Sequence, residues 1–356
     1  MANTRYPFTS SPKGWYMVAF SDELQPGDLK PVTYFEQDLV LYRDHDGEVH
    51  LLHAYCPHMG AHLASGEVHG GVRIKDGNIV CPFHQWEFNG KGECVSIPYA
   101  EKIPPKAKIP CWHVVEKNKM IMAWHNIEGG EPEWELPDIP EVFSDEWTDY
   151  EVREWIIRTH NLDMAENQVD VAHFQYLHGT QDYPRSEAEV DGHIMRVVSK
   201  AGMGTPRGQV QGGIESTSYG FGFSTIRFTG IVDTMLVTST TPIDGEYVHT
   251  RFCFMVKKTG GADVTKGVGK AFIREVSRQL EEDIPVWENK VFVHPPVLCE
   301  GDGPVGLFRK WIKQFFPAGT FDKLNVQAAS YGHQEPAGPR PGEPKDVAPQ
   351  QQASAG

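Results

Sequence analysis

The sequence predicts two folded units in tandem: an all-β domain, then an α+β domain built on an antiparallel sheet with helices against it. Three observations predict this. The 356 residues exceed what one hydrophobic core usually organises. Residues 14–126 break into short β-branched and aromatic runs separated by Asp-Gly and Asn-Gly pairs. Residues 268–290 carry the apolar spacing of a long amphipathic helix, and several strand patterns precede it.

In the first unit, residues 32–35 and 39–42 are strand-like and close together. Asp46-Gly47 marks a hairpin turn between strands at 39–43 and 49–53. Asp76-Gly77 and Asn89-Gly90 repeat that chemistry, and residues 120–124 read as a closing strand. A proline-rich, acidic connector covers 128–140. The second unit opens with a strand at 150–158 and a helix at 163–176. Strands at 193–198, 222–231, 234–240 and 248–256 lead to the long helix. The predicted boundaries are 14–127 and 128–332, with 1–13 packing on the second unit. The Pro-, Gln-, Ala- and Gly-rich residues 333–356 read as a disordered tail.

The composition narrows the functional classes. Lys plus Arg total 33 and Asp plus Glu 48, giving a net charge of −15. That balance argues against non-specific nucleic-acid binding and suits a basic protein partner. No run reaches the roughly 18 apolar residues of a membrane span, and residues 1–20 lack a signal-peptide apolar core, so a cytoplasmic protein is expected. Six cysteines in a chain this long do not form a disulfide framework. Reduced cysteines beside histidines instead invite a metal.

Cys56-Pro57-His58 and Cys81-Pro82-Phe83-His84 each supply one thiol and one imidazole. A Rieske [2Fe–2S] cluster needs two thiolates on one iron and two imidazoles on the other. Two loops that each give one ligand to each iron meet that need. A zinc site would more often group its cysteines as Cys-x-x-Cys. Gly60, Gly66, Gly70 and Gly71 are expected to let the chain pack closely around the cluster. His53, His62 and His69 are expected at the surface or behind the ligands, and Cys94 and Cys111 in the packing.

A second constellation lies in residues 166–178, ENQVDVAHFQYLH. Asp170 and His173 are three apart and share a face on a helix. His178 directly precedes Gly179, so it is expected where the helix ends and can turn inwards. Two histidines need a carboxylate to complete a non-haem Fe(II) facial triad. Asp283 is the candidate, because Phe272, Val276, Leu280 and Trp287 place it on the apolar face of the late helix. Glu282 is the second choice, and Glu281 falls on the solvated face. Pro285 is expected to kink the helix. Gly301-Asp302-Gly303 lacks the strand–turn–helix setting of a nucleotide site, so electrons must come from elsewhere.

Together, Cys-x-His…Cys-x-x-His and Asp-x-x-His-x-x-x-x-His resemble the paired motifs of Rieske non-haem iron oxygenase α-subunits, over nearly all of residues 14–330. The resemblance implies a Rieske domain followed by a helix-grip (START-like) catalytic domain. It implies a homotrimer in which His84 of one subunit reaches Asp170 of the next, and Asp170 bridges to His173. It also implies a separate NAD(P)H-dependent flavin/iron–sulfur reductase. Segments 81–84, 96–99, 283–290, 296–304 and 309–315 are similar to the oxygenase component of 3-ketosteroid 9α-hydroxylases and to cholesterol 7-desaturases. That likeness implies a monooxygenase using O2 to hydroxylate an unactivated C–H of a steroid-like substrate. Desaturation, or hydroxylation of another polycyclic or aromatic compound, stays open. So do two other classes, a Rieske electron carrier and a lipid-binding module. The chain departs from the family around residues 73–78 and over 179–224, a stretch expected to wall the substrate pocket.

Overall fold

The computed structural model describes residues 5–180, 183, 185–205, 208–258, 264–322 and 324–327. The predicted tail, 333–356, lies outside the described residues.

Three small antiparallel sheets make up the N-terminal part. Gly14–Phe20, Met120–His125 and Val114–Lys117 form one. Leu29–Tyr34, Gln37–Arg43, Val49–His53 and Cys111–Trp112 form the second. Ile74–Lys75, Asn78–Val80, Glu87–Phe88 and Cys94–Ser96 form the third. The Asp-Gly turns fall where predicted: Gly47 and Gly77 both adopt positive φ between paired strands. The second and third sheets close a core of Val40, Tyr42, Leu52, Ile79 and Phe88 that also contains Cys56 and Cys81.

The C-terminal part is a seven-stranded antiparallel sheet. Its spatial order is Glu151–Ile157, Val248–Val256, Thr234–Pro242, Ser224–Thr229, Gly208–Tyr219, Ile194–Thr205, Arg185–Asp191. Two of these strands, 185–191 and 208–219, are not predicted from the sequence. Arg185–Asp191 is an edge strand whose side chains are mostly exposed, so it shows little apolar alternation. Gly208–Tyr219 starts among glycines, which carry no strand signal.

Alternation along the strands gives the sheet two different faces. Met235, Val237, Cys253 and Met255 pack with Met17 and Ala19 of the first strand in one continuous core. Ser239 Oγ accepts from Met17 N, and Thr241 Oγ1 donates to Met17 O. Gly222 sits at this seam, where a Cβ would lie 2.0 Å from Trp15 O. Arg251, buried, donates to Met17 O, Tyr34 Oη and Glu154, and so ties the two parts together. The opposite face packs Phe228, Leu236, Phe254 and Val256 against Ile273 and Val276 of the long helix α3 (Lys270–Asn289).

Residues 163–176 do not form one helix. They split into α1 (Asn161–Glu166) and α2 (Ala172–Tyr176). His160 caps the first, its Nδ1 accepting from Leu162 N. A short helix, α4 (Val305–Trp311), follows the long one. The long helix runs through Pro285 to Asn289. The N-terminal segment packs on these elements: Arg5 donates to the carbonyls of Trp287, Glu288, Lys290 and Arg158, and Tyr6 donates to Asp163 at 2.5 Å. Asp163, Glu166, Lys290 and Arg309 form an ion network beneath α1. No helix among the described residues is long and apolar enough to cross a membrane.

Candidate metal centres and cavity

Two tight turns present the first four candidates. Gly60 N bonds to Cys56 O, and Gln85 N bonds to Cys81 O with Gln85 in the left-handed region. Each turn folds back so that a buried Cys and a half-buried His two or three residues later face one place. The neighbouring Cys56 and Cys81 thiols shift each other, Cys81 below an ordinary thiol and Cys56 above it. The N–H groups of Phe83 and His84 also point at the Cys81 sulfur and favour its thiolate. The rings of His58 and His84 lie 4.6 Å apart at 70°. Sulfur therefore pairs with sulfur and imidazole with imidazole, the donor division that a two-iron Rieske cluster requires. His84 Nδ1 is buried with no partner among the described residues, as a nitrogen awaiting a metal would be. Trp86 stacks on His58 at 4.5 Å and 9° and donates to Tyr99 Oη.

The glycines of this region work differently from expectation. Gly60, Gly66, Gly70 and Gly71 all have positive φ, and a Cβ on Gly60, Gly70 or Gly71 would meet open space. They turn the chain rather than admit close packing. Cys94 is buried as expected, but Cys111 is exposed, because its two-residue strand lies at the edge of its sheet. His53 and His62 are half-buried and His69 is exposed.

The second set meets at the mouth of a cavity between the sheet and α3. One donor atom from each of His173, His178 and Asp283 lies within 4.8 Å of the others. His173 is on α2, and its Nδ1 is 2.6 Å from the carbonyl of Asp170. Its Nε2 is buried with no partner among the described residues. The predicted helix end is present: Gly179 has φ 71°, and His178 turns inwards, its side chain 2% exposed. His178 Nε2 lies 3.3 Å from Asp283 Oδ1, and its Nδ1 lies 3.0 Å from Glu282 Oε2. Burial alone would disfavour a charged His178, yet Asp283 and Glu282 together hold its pKa above the ordinary value. Asp283 is buried, and Asn167 Nδ2 donates to its other oxygen at 3.4 Å.

This donor set fits a divalent iron. Two imidazole nitrogens and one carboxylate point into one space, and each imidazole's far nitrogen is already engaged. Glu282, the second choice as carboxylate, falls behind His178 instead. Asp170 also differs from expectation. The break at 167–171 removes the shared helix face, so Asp170 meets His173 through its backbone, with its carboxylate 3.9 Å away. Burial would raise the Asp170 pKa, but His173 and nearby backbone N–H groups hold it below the ordinary value.

The cavity has a volume of about 190 Å³. Ile214, Ile226, Phe228, Leu236, Val276 and Leu280 line it, together with the two histidines and Asp283. Sequence reasoning missed its polar part, Gln168 with Ser216 and Ser218. The alternation Ile214-x-Ser216-x-Ser218 is a two-residue period that would have placed those serines on one face, had the strand been recognised.

A β domain with paired Cys/His loops, joined to a sheet-and-helix cavity with a His/His/Asp cluster at its mouth, is the architecture of an iron-dependent Rieske oxygenase. Comparison with known proteins agrees. The Rieske [2Fe–2S] domain family matches residues 14–113, and the 3-ketosteroid 9α-hydroxylase C-terminal domain family matches 123–316. An oxygenase component of 3-ketosteroid 9α-monooxygenase from Rhodococcus rhodochrous is 31% identical over 325 residues, covering 85% of this chain and 81% of the relative. A cholesterol 7-desaturase of Ciona intestinalis is 30% identical over 340 residues, covering 86% and 68%. Among solved structures, dicamba monooxygenase bound to 3,6-dichlorosalicylic acid shares the fold with a TM-score of 0.67 at 21% identity, covering 85% of this chain and 96% of that one. A further dicamba monooxygenase structure, with non-haem iron and dicamba, gives 0.59 at 19% identity, covering 85% and 96%. The chain belongs to the Rieske oxygenase family, as an α-subunit related to the 3-ketosteroid 9α-hydroxylase oxygenase components and the cholesterol 7-desaturases.

Proposed function

We propose that this chain is the terminal oxygenase of a multicomponent monooxygenase that hydroxylates an unactivated C–H of a steroid-like ketone. The observation that carries this reading is the placement of His173, His178 and Asp283 in the wall of a largely apolar cavity. Residues 14–127 serve as the electron-receiving domain and 128–332 as the catalytic one. Cys56, His58, Cys81 and His84 hold the [2Fe–2S] cluster, and His173, His178 and Asp283 hold Fe(II). When bound, these groups supply one-electron transfer and activation of O2.

The chain's own residues do the rest. Ile226, Phe228, Leu236 and Leu280 bind a flat hydrocarbon and keep water from the reacting carbon. Asp170 O and Glu282 fix the ring orientations of His173 and His178. A homotrimer is proposed, with His84 of one subunit facing Asp170 of its neighbour. Within one chain the ring contacts of His84 are to His58, Phe83 and Tyr99, all in its own domain. Phe83 beside it is 59% exposed, and Tyr176 on α2 is 81% exposed, so both metal centres border apolar surface suited to burial between subunits. Electrons come from a cytoplasmic NAD(P)H-dependent flavin/iron–sulfur reductase.

The test is iron content and product analysis. Three irons per chain and a hydroxylated product from a panel of steroids, with reductase and O2, are expected. His173→Ala should abolish turnover and leave the cluster spectrum intact. A preparation with two irons that oxidises no apolar substrate would make the chain an electron carrier. A sterol desaturase is the second reading, favoured by the likeness to the Ciona relative. An alkene product would select it.

A further inference from the structure

The sheet face that walls the cavity is chemically divided. Cross-strand pairing sets Ser218 opposite Ser224, and Ser224 opposite Thr238, in a single row of hydroxyls. Two positions along, Ser216 stands opposite Ile226 and Ile226 opposite Leu236; two further, Ile214 stands opposite Phe228. Hydroxyls therefore cluster around Ser216, Ser218, Ser224 and Thr238, and Ile214, Ile226, Phe228 and Leu236 set hydrocarbon beside them.

Gln168, in the break between α1 and α2, borders the hydroxyl cluster. Ser216 Oγ donates to its Oε1 at 3.1 Å and Ser218 Oγ at 2.9 Å. Ser218 and Ser224 hydroxyls lie 3.0 Å apart. Each hydroxyl has one proton. With Ser216 and Ser218 both donating to the amide oxygen, Ser224 supplies the bond to Ser218. The amide oxygen then has both lone pairs engaged. Its Nε2 is buried with no partner among the described residues. Such a donor is unfavourable unless an acceptor is brought to it.

We propose that Gln168, held by Ser216 and Ser218, is the specificity-determining donor of the cavity and binds a carbonyl oxygen on an otherwise hydrocarbon, polycyclic ligand. The inference rests on the reading of this cavity as the substrate site. A ketone suits the site better than the corresponding alcohol. Its oxygen only accepts, so it satisfies the amide and adds no proton. An alcohol adds a proton at a place where the amide oxygen is already full, and the serine chain must be rewired to take it.

The test is equilibrium dialysis of the holoenzyme, without reductase, against three probes: androst-4-en-3-one, its 3β-alcohol and androst-4-ene. The parent is expected to bind the ketone about tenfold more tightly than the hydrocarbon, and more tightly than the alcohol. Gln168→Met should erase the preference while still binding the hydrocarbon. Gln168→Glu, which presents an acceptor, should shift preference towards the alcohol. An unchanged ketone preference in Gln168→Met overturns the inference and leaves the steroid-like reading standing. A parent that prefers the alcohol also overturns it. If the parent binds none of the three, the steroid-like reading fails and this inference fails with it. Mononuclear iron retained in each variant at the parent level verifies folding of the cavity.

Discussion

Glu282→Ala tests the iron site through a residue that is not a proposed ligand. Glu282 Oε2 lies 3.0 Å from His178 Nδ1, while the opposite nitrogen of the same ring faces Asp283. The carboxylate therefore keeps the proton on Nδ1 and leaves Nε2 as the donor to metal. Removing such an outer partner typically costs ten- to a hundredfold in metal affinity, about 1.4–2.7 kcal/mol. Glu282 is 35% exposed, so water partly replaces the lost oxygen, and Arg278 already shares its charge. The low end, about tenfold, is expected. The assay is chelator competition on the iron-loaded protein, with mononuclear iron measured by its chelate and the cluster by its visible absorption. Glu282→Gln, which keeps an acceptor oxygen, should fall between parent and alanine. Glu281→Ala, on the exposed face of the helix, should match the parent. Iron retention in Glu282→Ala equal to the parent would refute the reasoning, as would equal loss from Glu281→Ala.

Other predictions concern stability and the cluster. His125 is buried against Phe35 and Trp112, and burial pushes its pKa down to about 4. Above pH 6.5 it is neutral both folded and unfolded; below that the unfolded chain takes up the proton first, so stability should fall by about 3 kcal/mol towards pH 4. His125→Phe should flatten that part of a pH series of denaturation midpoints, and an unchanged slope would count against it. Lys290→Met removes the cation 3.0 Å from the fully buried Asp163 carboxylate. Because Lys290 is 36% exposed, the cost should be about 2 kcal/mol, below the range for a fully buried pair, and the Tm should drop by about 4–8 °C in calorimetry. Cys81→Ser should abolish the visible cluster spectrum while mononuclear iron still binds. Loss of both metals together would show that the centres are not independent.

The chemistry was legible in the sequence because it depends on residue type at short spacing. Cys56 with His58, and Cys81 with His84, can meet only if each pair sits on a tight turn, and the surrounding glycines and prolines signal such turns. Gly179 marked the end of α2 because positive φ costs a residue without a Cβ little, so the inward turn of His178 could be inferred locally. Asp283 was readable because helical periodicity fixes which side of α3 is buried, whatever it packs against.

Tertiary structure decided the rest, because those questions depend on groups far apart in the chain. Nothing local in 163–176 announces the break at 167–171. It exists because Asn167 donates to Asp283, 116 residues away, and Gln168 accepts from serines about fifty residues away. Across the same break the Asp170 carbonyl comes to 2.6 Å and its carboxylate to 3.9 Å from His173 Nδ1. The choice between Glu282 and Asp283 rested on one residue's rotation about a helix. Only the position of His178 showed that the two carboxylates take opposite sides of one ring. The sequence by itself determined which side chains could serve as metal donors. The assembled sheet determined what lies beside them, because a strand's register sets which hydroxyls line up across it.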